Sequence, residues 1–536
     1  QKQRIMFRKT SKETQIDMFG EVSTQLTKIA RKQYGDQNHW HNQFREHIVY
    51  QADESVFEPL FSKNIGAPNA SVSVLIGMMT LKEAFGWSDS QLFEQCRFNL
   101  LVRKALGLMN LNDKVPVEST YYLFRKRIYE HQRENGEDLM EKAFQQITQE
   151  QVKEFSVNGK QIRMDSKLLG SNIAFFSRFE IVHSALCMFY KTLSRQEKSM
   201  LKSSDKMLLK ALVVEDAKKT VYQSNRLEIT SRLVSLGSII FKLINIFKSN
   251  QTQEYQLLCR VFAEQYKVID NQKVELRAKE EISSGSVQSP YNSDSAFRNK
   301  RDAKVKGYSV NITETVSEDS LNLITDVKVA KANVPDSSFV QSAIASTEEV
   351  TGQQVETVYV DCAYQSPEND LFCEGIDMVF SGLQGRQSRY DLEYSNNGEL
   401  LVTDTQTGER FQAILCKKNK NSKEDRWKIS TPEGYKYFNQ LAIRASQMKR
   451  KLKNRTVEEL HKRNNVEATI FQLGYKLYNG KSRYCGWYKQ KIWATCRCLW
   501  INLVRIVKYT KQNPPKQAIS SFFKGFGNQI HDYTTN

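Results

Sequence analysis

The stretch ETVYVDCAY, residues 356–364, has the pattern of a buried β-strand that leads directly to a carboxylate, Asp361. A second apolar run, around residues 162–164, follows the turn signal Asn158-Gly159 and stops at Asp165. Each run is short and ends on its aspartate. The sequence therefore predicts two strands that carry carboxylates at their ends.

Two further strand patterns lie between these aspartates, GYSVNITETV at 307–316 and NLITDVKVAKAN at 322–333. A helical pattern, DSSFVQSAIASTEEV, follows at 336–350. The chain order is thus three strands, a helix and a fourth strand. This order matches the start of an RNase H-like core, in which the first and fourth strands are neighbours at the sheet centre, so we expect Asp165 beside Asp361.

A third carboxylate, Glu467, lies within a predicted helix that begins at the capping box of Thr456 and Glu459. One side of this helix carries Leu460, Arg463, Asn464, Glu467, Ile470 and Phe471. Glu467 is therefore expected to face another part of the protein and not solvent.

Changes in pattern along the chain divide it into segments of an α/β protein. Residues 1–155 are predicted to form a helical, DNA-binding N-terminal domain, because they include a basic helix at 121–133. The RNase H-like core occupies 156–190, 296–375 and 451–512. A helical insertion with its linker at 191–295 and a β-rich insertion at 376–450 separate its parts, and residues 513–536 form a tail.

The charge balance favours a polyanionic partner. The 536 residues include 78 Lys and Arg against 60 Asp and Glu, which gives a formal net charge of +18, so the long-range field attracts nucleic acid.

Nine cysteines form no CxxC pair or zinc-finger spacing, which favours a reduced interior. The longest apolar stretch, 233–247, contains Lys242 and is too short to span a bilayer, and no signal peptide is recognised, so we expect a cytoplasmic protein with no membrane contact.

The three carboxylates suit a two-metal site. Two divalent ions about 3.5–4 Å apart can activate a water or a 3′-hydroxyl and stabilise the leaving oxygen of a phosphoryl displacement. Asp361 would be the bridging ligand between Asp165 and Glu467. A set of carboxylates without His or Cys favours Mg²⁺, with Mn²⁺ as a substitute.

Four segments in one order resemble a known family: IRMDSKLLGSNI, SPYNSDSAFRNKRDAKVKGYSVNITET, VYVDCAYQSPEN and HKRNNVEATIFQLGYK. With the N-terminal run at 65–108, they resemble the DDE transposases of bacterial insertion sequences. The resemblance is greatest to the group numbered eleven eighty-two, which is related to the four-and-five-type superfamily. It covers roughly residues 55–510.

This resemblance implies a metal-dependent transposase that binds terminal inverted repeats of double-stranded DNA, cuts the element's ends and joins them to target DNA. A homodimer on DNA, associated with the bacterial nucleoid, is implied as well. Asp165, Asp361 and Glu467 match the family's three catalytic acids, and Arg463 matches an arginine that could hold a phosphate bidentately.

Two positions depart from the family signature around the third acid. Leu460 stands where the signature has Tyr, and Gly474 stands where it has Lys. Lys476 is the candidate to supply that missing charge.

The C-terminal stretch after Gly474 interleaves aromatic and basic residues, a pattern that suits contact with DNA ends. We expect Lys481, Arg483 and Lys489 to contact DNA. Trp493 and Trp500 fall at helical spacing and are expected to pack in the core. His39 and His41 have no third ligand nearby and are interpreted as surface residues.

Two alternatives remain open from the sequence. A stand-alone nuclease with the same core would cut DNA without joining it, and a transposase-derived DNA-binding protein would no longer catalyse. Dependence on a divalent metal separates the DNA-binding protein from the transposase and the nuclease. A joined product separates the transposase from the nuclease.

Overall fold

The computed structural model describes residues 6–10, 20–62, 66–174, 176–269, 273–300, 303–382, 388–395, 398–416 and 425–513. Its strands are β1 (Gln161–Gly170), β2 (Tyr266–Ile269), β3 (Lys273–Leu276), β4 (Ala296–Lys300), β5 (Ala303–Thr315), β6 (Ile324–Lys331), β7 (Thr357–Val360), β8 (Asp377–Phe380), β9 (Tyr390–Tyr394), β10 (Leu400–Asp404), β11 (Arg410–Cys416), β12 (Arg426–Thr431) and β13 (Gly434–Asn439).

The helices of the described residues begin with α1 (Lys28–Gly35), α2 (Trp40–Phe44), α3 (Val72–Phe85), α4 (Asp89–Phe98), α5 (Leu100–Ala105), α6 (Glu118–Asn135) and α7 (Leu139–Phe155). The next are α8 (Arg178–Thr192), α9 (Arg195–Ser199), α10 (Ser203–Val214), α11 (Ala217–Gln223), α12 (Arg226–Ile246) and α13 (Gln253–Gln265). The last are α14 (Val340–Thr351), α15 (Pro367–Phe372), α16 (Gln440–Lys453), α17 (Val457–Lys462), α18 (Asn465–Leu473) and α19 (Trp487–Gln512).

A mixed sheet of six strands lies at the centre of the fold. β5 pairs with β1 in antiparallel orientation, while β7 pairs with the other edge of β1 in parallel, and β8 continues in parallel beside β7. The second edge of β5 pairs with β4 and β6 in turn. The four predicted strands are present in the spatial order β6, β5, β1, β7, and the short strand β4 was not predicted.

A close approach of two backbones accompanies the pairing of β1 with β5. Gly170 lies opposite Gly307 in this ladder. A Cβ atom at position 307 would stand 2.1 Å from the Leu169 carbonyl oxygen and 2.8 Å from the Ser171 nitrogen. The pairing therefore requires glycine at position 307.

The two faces of the sheet pack on different helices because side chains alternate between faces along a strand. Ile162 and Met164 of β1 pack with α14 and its neighbours in one apolar cluster. Val310 and Ile312 of β5 belong to a second cluster that contains much of α19. The sheet is thus covered on both sides, as expected for an α/β protein.

Helix α19 connects the N-terminal helices to the sheet. Its buried residues Trp493 and Cys496 share one apolar cluster with Leu75 of α3, Phe93 of α4 and Ile312 of β5. The prediction that Trp493 is a core residue is confirmed. Residues 1–155 therefore do not have a core of their own within the described part of the chain, because their helices and the sheet share this one.

The interpretation of His41 as a surface residue is wrong. Its side chain is fully buried, its Nε2 lies 2.9 Å from the Tyr34 carbonyl oxygen, and its Nδ1 lies 2.7 Å from Nδ1 of His39. Burial lowers the pKa of His41 to about 4. His41 is therefore a neutral core residue at neutral pH.

The helical insertion forms its own apolar cluster, which runs from Phe179 to Val287 and includes α8. It begins before residue 191, where the sequence placed the boundary, and it ends in the β2–β3 hairpin, which was not predicted. Among the described helices, α12 alone is long and apolar enough to cross a membrane by length and composition. Soluble core helices pass the same test, and Leu236, Ile240 and Leu243 of α12 are buried in this cluster.

The β-rich insertion is a five-stranded antiparallel sheet in the order β13, β12, β11, β10, β9, with Ile443 of α16 packed on it. β8 was assigned to this insertion by the boundary at 376, but it pairs with β7 and belongs to the central sheet. The sequence also predicts a turn at 396–397 and a charged loop at 419–426 in this insertion. The turn residues, most of that loop and the tail after residue 513 lie outside the described residues.

Candidate active site

Asp165 within β1 and Asp361 directly after β7 occupy matching positions relative to the pairing of these two parallel strands. The final pair of this ladder is Arg163 with Tyr359, and each aspartate lies two residues beyond it. β1 does not stop at Asp165 as expected, because β5 continues to pair with it as far as Gly170. The structure therefore brings together the two aspartates that the strand patterns singled out.

The two aspartates differ in their surroundings. The Asp361 carboxylate accepts a hydrogen bond from the Ala363 backbone nitrogen at 2.8 Å and caps a short 3₁₀ turn. The Asp165 side chain is only 15% exposed. Burial raises the pKa of Asp165, and the charge of Asp361 raises it further, while Arg463 acts in the opposite direction.

Glu467 reaches this site through Arg463. The predicted helix around Glu467 is interrupted at residues 463–464, which separate α17 from α18. At this interruption the Arg463 guanidinium donates to Asp165 Oδ2 at 2.9 Å and to Glu467 Oε1 at 3.4 Å. The Glu467 side chain is 62% exposed, so the expectation that it faces another part of the protein is wrong.

The donor chemistry of the three carboxylates suits a hard divalent cation such as Mg²⁺, because all of the ligand atoms would be oxygens. Their present spacing does not complete a metal site. In the described part of the chain, no group of three His, Cys, Asp or Glu side chains is arranged to hold a metal ion. The Arg463 guanidinium instead provides the positive charge between Asp165 and Glu467.

A buried network beside the carboxylates escaped the sequence analysis. Glu314 of β5 is fully buried and forms ion pairs with Arg163 at 2.5 Å and Arg505 at 2.6 Å, and it accepts a hydrogen bond from the Thr469 hydroxyl at 2.7 Å. Arg163 also donates to the Lys462 carbonyl oxygen. The network therefore ties α17, α18 and α19 to the strand that carries Asp165.

The network is anionic at its centre. Burial alone would raise the pKa of Glu314, but Arg505 and Arg163 outweigh it, and the pKa is lowered. Glu314 follows Tyr308, Val310 and Ile312 at the apolar positions of an alternating strand pattern. This was the available sequence signal, because a buried charge requires partners.

The basic residues expected to contact DNA occupy different settings. Lys476 donates to the Phe85 carbonyl oxygen, and Arg483 donates to the carbonyl oxygens of Gly86 and Trp87, so both bind the C-terminal end of α3. Lys476 therefore has a structural contact with α3, whereas the sequence offered it as a replacement for the lysine that is missing at position 474.

Lys481 and Lys489 differ from this pair. The backbone around Lys481 pairs with the end of β1, where the Ser482 nitrogen donates to the Gly170 carbonyl oxygen at 3.0 Å. Lys489 is exposed in the first turn of α19 and lines a cavity of about 430 Å³ with Arg125 and Lys126. Lys489 is thus accessible to a polyanion.

Comparison with known proteins finds a match in the N-terminal helices. Residues 31–127 match a family model described as Transposase domain (DUF772). No curated protein and no solved structure matches the chain. The match covers α2 to α5 and most of α6, and it supports a transposase family for this protein.

Proposed function

We propose that this protein is a DDE transposase with an RNase H-like core, which cuts the ends of an insertion sequence and joins them to target DNA. The observation that carries the proposal is the matching position of Asp165 in β1 and Asp361 directly after the adjacent parallel strand β7, with Arg463 and Glu467 beside them. The strand order β6, β5, β1, β7, β8 supports the RNase H-like assignment.

The proposed reaction is an in-line displacement at phosphorus, performed twice. In the first step a water oxygen bonds to the phosphorus, the P–O bond to the 3′ oxygen breaks, and that oxygen leaves as a 3′-hydroxyl. In the second step the 3′-hydroxyl attacks a target phosphate and displaces another 3′ oxygen. No covalent protein intermediate is required.

Asp165, Asp361 and Glu467 would hold the divalent metal ions. Mg²⁺, or Mn²⁺ in its place, would lower the pKa of the attacking oxygen and stabilise the leaving oxygen. Arg463 would bind a DNA phosphate through its planar guanidinium. Glu314 and its arginines would fix the helices that carry Arg463 and Glu467.

Double-stranded DNA is the proposed partner, as both the element's ends and the target, and a homodimer on DNA would process two ends together. The net charge of +18 supports binding to a polyanion. Lys481, Arg483 and Lys489 would contact DNA through the part of their charge that their contacts within the protein leave exposed. The proposed location is the bacterial cytoplasm, at the nucleoid.

The test is cleavage and joining of a labelled duplex that carries the DNA flanking this gene, in the presence of Mg²⁺. Asp361→Asn is the informative variant, because asparagine can still cap the 3₁₀ turn while the ligand charge is lost. Asp319→Asn, at an exposed loop residue, is the matched control. We expect cleaved and joined products from the wild type and the control and neither from Asp361→Asn.

Each other outcome has a defined meaning. Cleavage without joining would assign a stand-alone nuclease, and binding without cleavage by the wild type would assign an inactive DNA-binding protein. Cleavage that survives in Asp361→Asn would disprove the proposed acids.

A further inference from the structure

Lys167 lies on the face of β1 that carries Asp165. It follows Asp165 by two residues, so the two side chains leave the same face about 6–7 Å apart. Lys167 is half-buried. Within the described residues its ammonium has no hydrogen-bond or ion-pair partner.

The side chain of Lys167 lies against Gly474, directly after α18. A Cβ atom at position 474 would stand 2.9 Å from Lys167 Cε and 3.0 Å from Nζ. The backbone of Gly474 has φ −78° and ψ −1°, which any residue can adopt. The glycine is thus not required by the backbone conformation, and the feature that it provides is space for Lys167.

A half-buried cation without an anionic partner is unfavourable, because it has lost hydration without compensation. Two other cations here already have contacts within the protein, Arg463 with Asp165 and Glu467, and Lys476 with the end of α3. Lys300 of β4 is close enough for its charge to lower the pKa of Asp165. Among these cations, Lys167 is the one that lies on β1, on the same face as Asp165.

We propose that Lys167 binds a backbone phosphate of the DNA strand held at the carboxylates, and that Gly474 provides the space for it. This subsite rests on the proposed function and names one of its substrate contacts. It assigns to Lys167 the role for which the sequence offered Lys476.

Binding of duplexes from the gene's flanks, measured in EDTA across a series of salt concentrations, tests the subsite without any cleavage. Lys167→Met should weaken binding about tenfold or more, since a hydrogen bond to a charged group is lost. The slope of log K against log salt should fall by about 1, as expected for one lost phosphate contact. Lys210→Met, at an exposed lysine of α10, removes the same charge and should change neither.

Gly474→Ala tests the same contact without removing the charge. Its Cβ should displace the flexible end of Lys167, so it should weaken binding to a similar degree. The double variant should bind no more weakly than Lys167→Met, because the two changes act on one interaction. A larger loss in the double variant would overturn the assigned role of Gly474.

A second measurement varies the DNA. Duplexes with a single uncharged methylphosphonate, placed at each position in turn, should show a position where the wild type loses affinity and Lys167→Met, which already lacks the contact, loses less. If Lys167→Met binds as Lys210→Met does, or no such position exists, the subsite is wrong while DNA binding stands. If the wild type binds none of the duplexes, the proposed function fails with it.

Discussion

Replacing Glu314 by Gln should destabilise the protein by roughly 3–5 kcal/mol, the usual effect of removing one partner of a buried ion pair. The carboxylate is fully buried, and its two oxygens contact Arg163 at 2.5 Å and Arg505 at 2.6 Å. Glutamine has almost the same shape but no charge. The variant therefore leaves two guanidinium groups without their anion, while the hydrogen bond from Thr469 can persist.

Urea-induced unfolding followed by tryptophan fluorescence measures this effect at pH 7. Glu356→Gln is the matched control, because Glu356 forms an ion pair with Lys160 in which its side chain is 60% exposed, and such a pair is worth about 0–1 kcal/mol. Adding Arg505→Met to Glu314→Gln should recover part of the loss, since one uncompensated charge is removed. Equal midpoints for Glu314→Gln and Glu356→Gln would refute the assignment of a stabilising network.

Two more predictions concern buried positions. The folded pKa of His41 is about 4, below the unfolded value of about 6.5. Stability should therefore change little above pH 7 and fall by about 2 kcal/mol between pH 7 and 5, as the unfolded state takes up a proton. His41→Gln should lack this loss in urea titrations at the two pH values, and an unchanged pH dependence would contradict it. Gly307→Ala should destabilise the protein by about 1–3 kcal/mol or more, because its Cβ meets the Leu169 backbone. Gly35→Ala, with open space around it, should not destabilise the protein. Thermal unfolding measures both variants, and equal midpoints would contradict this reasoning.

The strand patterns predicted the central part of the fold because the signals are local. A short apolar run and an aspartate lie within a few residues of each other for β1 and for β7, and a turn signal precedes β1. The shared register of the two strands then follows from their pairing at the sheet centre. Strand β4 was missed because its sequence, AFRNK, has no apolar run and no clear alternation of apolar and polar residues.

The surroundings of Glu467 could not be predicted from local periodicity. The pattern indicates one continuous helix, but α17 and α18 are separate, and Arg163 from β1 contacts the Lys462 carbonyl oxygen at the interruption. Arg163 and Lys462 are 299 residues apart in the chain. Contacts of this range depend on the completed fold, and the buried network around Glu314 has the same character.

The position of α19 bears on the distance along DNA between the segment that the protein binds and the site of cleavage. Because this helix packs on both the N-terminal helices and the sheet, these parts are fixed to each other by a shared interior and not by a linker. If the N-terminal helices bind DNA, the carboxylates would contact that DNA at a constant number of base pairs from the bound segment. The distance from the bound segment to the cut would then be fixed by the interior packing of the protein.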